Sequence, residues 1–111
     1  VGIQNWSDSV ILVNLAEEPQ MGEELRTVIE IARDRGDCDV VLDFADVDIV
    51  TSSSIAKILK LRKVLMDTGR RLVLCGATNA TRGIFMVTGL DTVFEFVDDK
   101  FIALASLQLI N

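Results

Sequence analysis

Four consecutive hydroxyl residues, Thr51-Ser52-Ser53-Ser54, stand between the apolar pair Ile49-Val50 and a stretch of helical periodicity. One hydroxyl at such a place is enough to cap a helix. Its oxygen accepts a bond from a first-turn N–H and contributes about 1 kcal/mol relative to alanine. The same place suits an anion, because the first N–H groups of a helix lack intrahelical acceptors and favour negative charge by roughly 0.3 to 1 kcal/mol. A phosphoserine there is compatible with the fold. It adds about −1.5 to −2 charges at pH 7, which an approaching protein surface must desolvate or oppose.

Lys57, Lys60, Arg62 and Lys63 follow on the same periodic stretch, with Arg70, Arg71 and Arg82 further along. The whole chain has net charge −6 and pI near 4.5, so this is a local reversal of sign. Residues 1–51 hold 3 basic and 12 acidic side chains, residues 52–83 hold 7 and 1, and residues 84–111 hold 1 and 4. The molecule is expected to be electrically polarised. The basic stripe reads either as a solvated helix face or as a docking face for an acidic protein partner. Nucleic acid is disfavoured by the overall acidity, the lack of Tyr and the absence of a Gly-rich basic loop.

Other chemistry finds little footing. The chain has no histidine, which removes Ser-His-Asp and Cys-His pairs, histidine metal clusters and histidine pH switches together. Cys38 and Cys75 have no CxxC spacing and read as core thiols in a reducing, cytoplasmic setting. Asp43, Asp46 and Asp48 alternate but lack the glycine and distant glutamate of a calcium loop, so turn and cap roles are expected. Gly76, Gly83 and Gly89 form neither a GxGxxG nor a P-loop pattern. We expect no enzyme, no cofactor and no metal.

The elements that position the hydroxyl cluster can be read from periodicity. Val10 to Leu15 reads as a strand, with Ile3 to Trp6 a short strand pairing with it across Ser7-Asp8. Met21, Leu25, Val28, Ile29 and Ala32 share one face of a helix from Met21 to Arg35, closed by Gly36. Asp39 to Phe44 is a central strand, apolar without alternation, as expected when both sheet faces are covered. A second helix from about Ser53 to Asp67 buries Ile55, Ile58, Leu59, Leu65 and Met66. Leu72 to Cys75 is a strand, Asn79 to Thr88 a helix closed by Gly89, and Val93 to Val97 a last strand. Asp98 or Asp99 caps a terminal helix through about Leu107 that carries Ile102, Ala103 and Ala105.

Strands alternating with helices over short connections predict an α/β fold: a mixed, mostly parallel sheet of about five strands with four helices. The 111 residues suffice for one domain, 1–111. Apolar residues make up 50% of the chain, yet no apolar run approaches the 18 or so residues needed to span a bilayer, so no membrane insertion is expected. No basic segment followed by an apolar one opens the chain, so secretion is not expected.

The order of elements and the residues around the serine cluster resemble the STAS domain, the family of anti-sigma factor antagonists. Val40-Val41-Leu42-Asp43-Phe44 looks like that family's central strand ending in Asp. Ile49-Val50-Thr51-Ser52-Ser53-Ser54-Ile55 looks like its apolar pair followed by Asp-Ser-Ser-Gly and Leu. Gly69-Arg70-Arg71-Leu72-Val73-Leu74-Cys75-Gly76 resembles its next turn and strand, and Thr88-Gly89-Leu90-Asp91 its Thr-Gly-Leu-Asp helix end. Two positions depart from the pattern: Thr51 stands in place of Asp and Ser54 in place of Gly.

The resemblance implies that Ser53 is the phospho-acceptor and that Ser52 supports the helix start; with it, Thr51 and Ser54 are expected to support the switch, and the basic stripe makes Ile55, Lys57, Lys60, Lys63 and Arg82 the expected partner-binding residues. It implies as partners an anti-sigma factor that is also a serine kinase, and a phosphatase, with the chain a monomer or weak homodimer. The departures motivate an alternative: a constitutive, unphosphorylated module such as the small subunit of a lipid or anion transport system. A nucleotide or small-ligand sensor is a third reading of the polar cluster.

Overall fold

The computed structural model describes residues 2–110, with side chains through Gln108. Five strands and four helices follow one another as β1 (Gly2–Ser7), β2 (Val10–Asn14), α1 (Gln20–Arg35), β3 (Asp39–Asp43), α2 (Ser52–Asp67), β4 (Leu72–Cys75), α3 (Asn79–Val87), β5 (Glu95–Val97) and α4 (Lys100–Ile110). The sheet order is the chain order, β1-β2-β3-β4-β5. β1 pairs antiparallel with β2, and every later pair is parallel. This is the expected mixed, mostly parallel α/β architecture.

Strand order explains the layers. Each parallel step from β2 to β5 advances in one direction and crosses over through one helix. Right-handed crossovers that all advance the same way place α1, α2 and α3 on one face of the sheet. The other face is left to α4. The strand residues divide accordingly with period two. Ile11, Val13, Val40, Leu42, Leu72 and Leu74 join Leu25, Val28, Ile58, Leu61 and Phe85 in the larger core. Val10, Leu12, Val41, Val73 and Cys75 meet Ala103, Leu104 and Leu107 of α4. Phe85 anchors the α3 end, meeting Phe44, Phe94 and Phe96 edge to face with centroids 6.3, 5.6 and 5.2 Å apart.

The ends of the strands are tied by charge and backbone. Asp39, 5% exposed at the start of β3, accepts from Arg70 Nη2 at 3.1 Å and from the Arg71 N–H at 2.8 Å. These bonds hold the entry to β4 against the entry to β3. At the opposite end, Asp43 Oδ1 accepts from the Ala45 N–H at 3.0 Å, which turns the chain out of the sheet.

Three expectations need correction. Val93 and Phe94 are not strand: their N–H groups bond to the Leu90 carbonyl at 3.0 and 3.4 Å, so a turn precedes a shorter β5. Phe94 is buried against Phe85, so its apolar character belongs to packing rather than to pairing. On α2 the buried face runs through Ile55, Ile58, Leu61 and Leu65. Met66, one residue past Leu65 and about 100° further round the helix, is 56% exposed. On α4, among the described residues, Ala103, Leu104 and Leu107 are buried, whereas Ile102 and Ala105 face outward.

Candidate functional site

In an open α/β sheet, sites gather beyond the carboxyl ends of the strands, where loops lead into helix N-termini. Here β2 and β3 are parallel neighbours, so the turn entering α1 and the turn entering α2 lie side by side. The four hydroxyls occupy the second turn.

Each hydroxyl has a different situation. Thr51 is the N-cap of α2, with extended backbone, and its Oγ1 accepts from the Ser54 N–H at 3.2 Å. Ser54 is buried, 1% exposed. Ser52 and Ser53 occupy the first two helical positions and are exposed. Ser53 Oγ accepts from Lys57 Nζ, one turn further along, at 2.9 Å. The expected acceptor, Ser53, is therefore exposed and has a cationic neighbour, while the outer members of the cluster are engaged by the fold.

A residue that the sequence did not single out completes the group. Glu18, in the turn before α1, accepts from the Thr51 N–H at 3.0 Å and from the Thr51 hydroxyl at 2.9 Å. Burial pushes the Glu18 carboxyl up. The nearby Ser54 side chain, the hydrogen bonds from Thr51 and the charge of Lys57 together outweigh that and hold it below its ordinary range. Thr51 stands where an acidic residue was expected, and Glu18 brings a carboxylate to it from another loop. The signal in the sequence was topological, since Glu18 immediately precedes Pro19 in the turn that a parallel β2–β3 pair must set beside Thr51.

Glu18, Pro19, Gly22, Glu23, Arg26, Thr51, Ser53, Ser54 and Lys57 together line a cleft of about 280 Å³. A second cleft, between α1 and α2, is lined by Arg26, Ile29, Glu30, Arg33, Lys57 and Lys60. Arg26 and Arg33 come from the acidic part of the sequence, so α1 widens the basic stripe. The remaining cations are less free than their run in sequence implies. Lys63 pairs with Asp67 at 3.3 Å, Arg70 with Asp39 at 3.1 Å and Arg71 with Glu95 at 2.6 Å. Arg82 lies over the Phe96 ring, 5.1 Å from its centroid, and lines neither cleft. Ile55, expected on the docking face, is turned into the core with 7% exposure. Its place three residues before Ile58 on the apolar face of α2 is the reason.

Both cysteines are free and buried. Burial, with the charges of Asp43 and Asp99 adding to it, pushes the Cys75 thiol up to about 12. Burial likewise raises Cys38. Neither is activated as a nucleophile. Asp43 serves its turn, while Asp46 and Asp48 are exposed.

The chain shares this architecture with solved structures. A STAS-domain protein from Planctomyces limnophilus superposes with a TM-score of 0.81 at 18% identity, over 96% of this chain and 97% of that one. The anti-sigma factor antagonist SpoIIAA in its unphosphorylated form gives 0.76 at 16% identity over 96% of both chains. The phosphorylated form of the Bacillus protein gives 0.74 at 17% identity, over 96% of this chain and 97% of that one. In sequence, the chain is 28% identical over 97 residues to a Bordetella bronchiseptica protein named as anti-sigma factor antagonist BtrV, covering 87% of this chain and 80% of that protein. The sequence profile of the STAS domain matches residues 9–101, and the chain belongs to the STAS domain family.

Proposed function

We propose that this chain is an anti-sigma factor antagonist that works by phosphorylation-controlled partner switching. The unmodified chain binds an anti-sigma factor that is also a serine kinase, and so frees a sigma factor. The kinase then passes the γ-phosphoryl group of a nucleoside triphosphate to Ser53 Oγ. The hydroxyl proton goes to the kinase and the nucleoside diphosphate leaves. A phosphatase hydrolyses the phosphoserine, returning the hydroxyl and inorganic phosphate. The chain itself binds, and the chemistry on Ser53 belongs to its partners.

The observation that carries this reading is the exposed Ser53 hydroxyl at the start of α2, on the rim of the Glu18–Lys57 cleft. The named relative, BtrV, supports it. Lys60, exposed on α2, and Arg33 on the same cleft offer an acidic partner surface its complement. A hundredfold loss of affinity needs only about 2.7 kcal/mol, and a phosphate of about −1.5 to −2 charges at the edge of an interface can supply that through repulsion and desolvation.

The test is a pull-down from native lysate with the unmodified chain and Ser53→Asp side by side, with intact mass measured on the recovered bait. A kinase-like regulator retained only by the unmodified chain is the expected result. If both forms retain the same partner with equal yield, the switch reading falls. Were that partner a transporter subunit, the constitutive-module reading, motivated by Thr51 and Ser54 in the motif, would take its place.

A further inference from the structure

We propose that Lys57 is the internal counter-ion of a phosphate on Ser53, fixing the orientation and the charge of the switch instead of serving as a free docking cation. The inference rests on the reading of Ser53 as the phospho-acceptor and adds to it how the phosphate is held.

Three observations place the ammonium. Lys57 Nζ donates to Ser53 Oγ at 2.9 Å, along the i,i+4 row of one helix face. It is a cation without an ion pair among the described residues, whereas the neighbouring Arg26 and Lys63 pair with Glu23 and Asp67. It lies against the facing helix, where a Cβ at Gly22 would make ordinary contact with Lys57 Nζ at 3.7 Å.

A phosphate on Ser53 Oγ therefore forms beside an ammonium that is already in hydrogen-bond contact with the oxygen it is attached to. The other charges on the same cleft are Glu18, Glu23 and Arg26. Arg26 is engaged by Glu23, and the Glu18 carboxylate repels the phosphate. Lys57 is thus the cation placed to turn the phosphate away from Glu18. By favouring the doubly ionised form, it keeps the second proton off at neutral pH, so that an incoming partner meets the full charge.

The experiment uses the full chain with phosphoserine encoded at position 53, alone and combined with Lys57→Gln or Lys57→Arg. The phosphorus-31 resonance is followed from about pH 4 to pH 8, bracketing the ordinary second phosphate pKa of about 6. Lys57→Gln is expected to raise the midpoint by about half a unit or more, and Lys57→Arg to keep it low. The difference is expected to shrink in about 1 M salt. Coincident midpoints for the parent lysine form and the Lys57→Gln form would overturn the counter-ion role. So would a Lys57→Arg midpoint equal to that of Lys57→Gln. This titration needs no partner, so its failure leaves the acceptor assignment standing. Equal partner binding by the phosphorylated and unmodified parent chains would instead overturn the acceptor reading.

Discussion

The Glu18 carboxylate accepts from both the N–H and the hydroxyl of Thr51, at 3.0 and 2.9 Å, joining two turns that are 33 residues apart. The bonds favour the ionised carboxylate, and its folded-state pKa lies below the ordinary 4.5 despite partial burial. A group depressed in this way adds stability above its unfolded pKa and loses that contribution as pH falls through the folded value. Glu18→Gln is therefore expected to be less stable than the parent at pH 7, with the gap narrowing below about pH 4.5 as the parent's carboxyl protonates. Urea midpoints of both proteins at pH 7 and at about pH 3.5 measure it. A gap of the same size at both pH values would mean that ionised Glu18 contributes nothing through these bonds.

Thr51 has two tasks, capping α2 and donating to Glu18, and substitutions separate them. Thr51→Ala removes the acceptor for the Ser54 N–H and one donor to the carboxylate, with an expected loss of about 1 to 2 kcal/mol. Thr51→Ser keeps both and is expected to stay within about 0.5 kcal/mol of the parent. Thr51→Asp restores the cap but sets a second carboxylate against Glu18, so it is expected to be less stable than Thr51→Ser at pH 7 and to recover on adding Glu18→Gln. Denaturant unfolding of the parent, Thr51→Asp, Glu18→Gln and the double variant closes the cycle. Additive effects of Thr51→Asp and Glu18→Gln would show that the two side chains do not interact.

Much of this arrangement is legible in the sequence, and the reasons for the rest are physical. The apolar runs Val10–Val13, Val40–Leu42 and Leu72–Cys75 mark strands because a parallel sheet covered on both faces needs apolar side chains at every position. Gly36 and the hydroxyl cluster mark helix ends because backbone geometry at caps is selective. Tertiary partnership is not written locally. Glu18 is one of two adjacent glutamates before a proline, and nothing in its neighbourhood names Thr51. Ile55 and Met66 are both apolar residues of α2, and one is buried while the other is 56% exposed. Only the rotation of the helix against the sheet decides between them. The basic stripe was visible on α2, but its continuation through Arg26 and Arg33 required knowing that α1 packs alongside.

Two glycines with nearly the same left-handed backbone differ in what surrounds them, which separates strain from collision. Gly69 has φ +71° and open space around its missing Cβ, whereas Gly76 has φ +70° and a Cβ there would lie 2.5 Å from Asp43 Oδ1 and 3.2 Å from the Ala45 nitrogen. Gly69→Ala is expected to cost about 1 kcal/mol, the conformational penalty alone. Gly76→Ala adds displacement of the Asp43 carboxylate from the Ala45 N–H it caps, for a total of about 2 to 4 kcal/mol. Asp43→Ala on its own breaks the same bond, so combining it with Gly76→Ala is expected to give less than the sum of the two losses. Full additivity in urea unfolding would remove Asp43 from the account of Gly76.

The two cysteines sit under opposite faces of the sheet and can report on each face separately. Cys38 belongs to the core covered by α1 and α2, and Cys75 to the core covered by α4. With the Cys75 thiol at about 12, about one molecule in ten thousand is thiolate at pH 8, against a sizeable fraction for a free cysteine. Native labelling by a thiol reagent is therefore expected to be negligible at both sites. Opening changes this unequally. The described buried side chains of α4 are Ala103, Leu104 and Leu107, whereas α1 and α2 together bury more than twice as many apolar residues. Local opening free energy follows the apolar contact an element must give up. At urea concentrations below the global transition, Cys75 is expected to be labelled before Cys38. Mass spectrometry of peptides after timed alkylation measures the order. Simultaneous labelling at all urea concentrations would mean that α4 leaves the sheet only when the whole fold does.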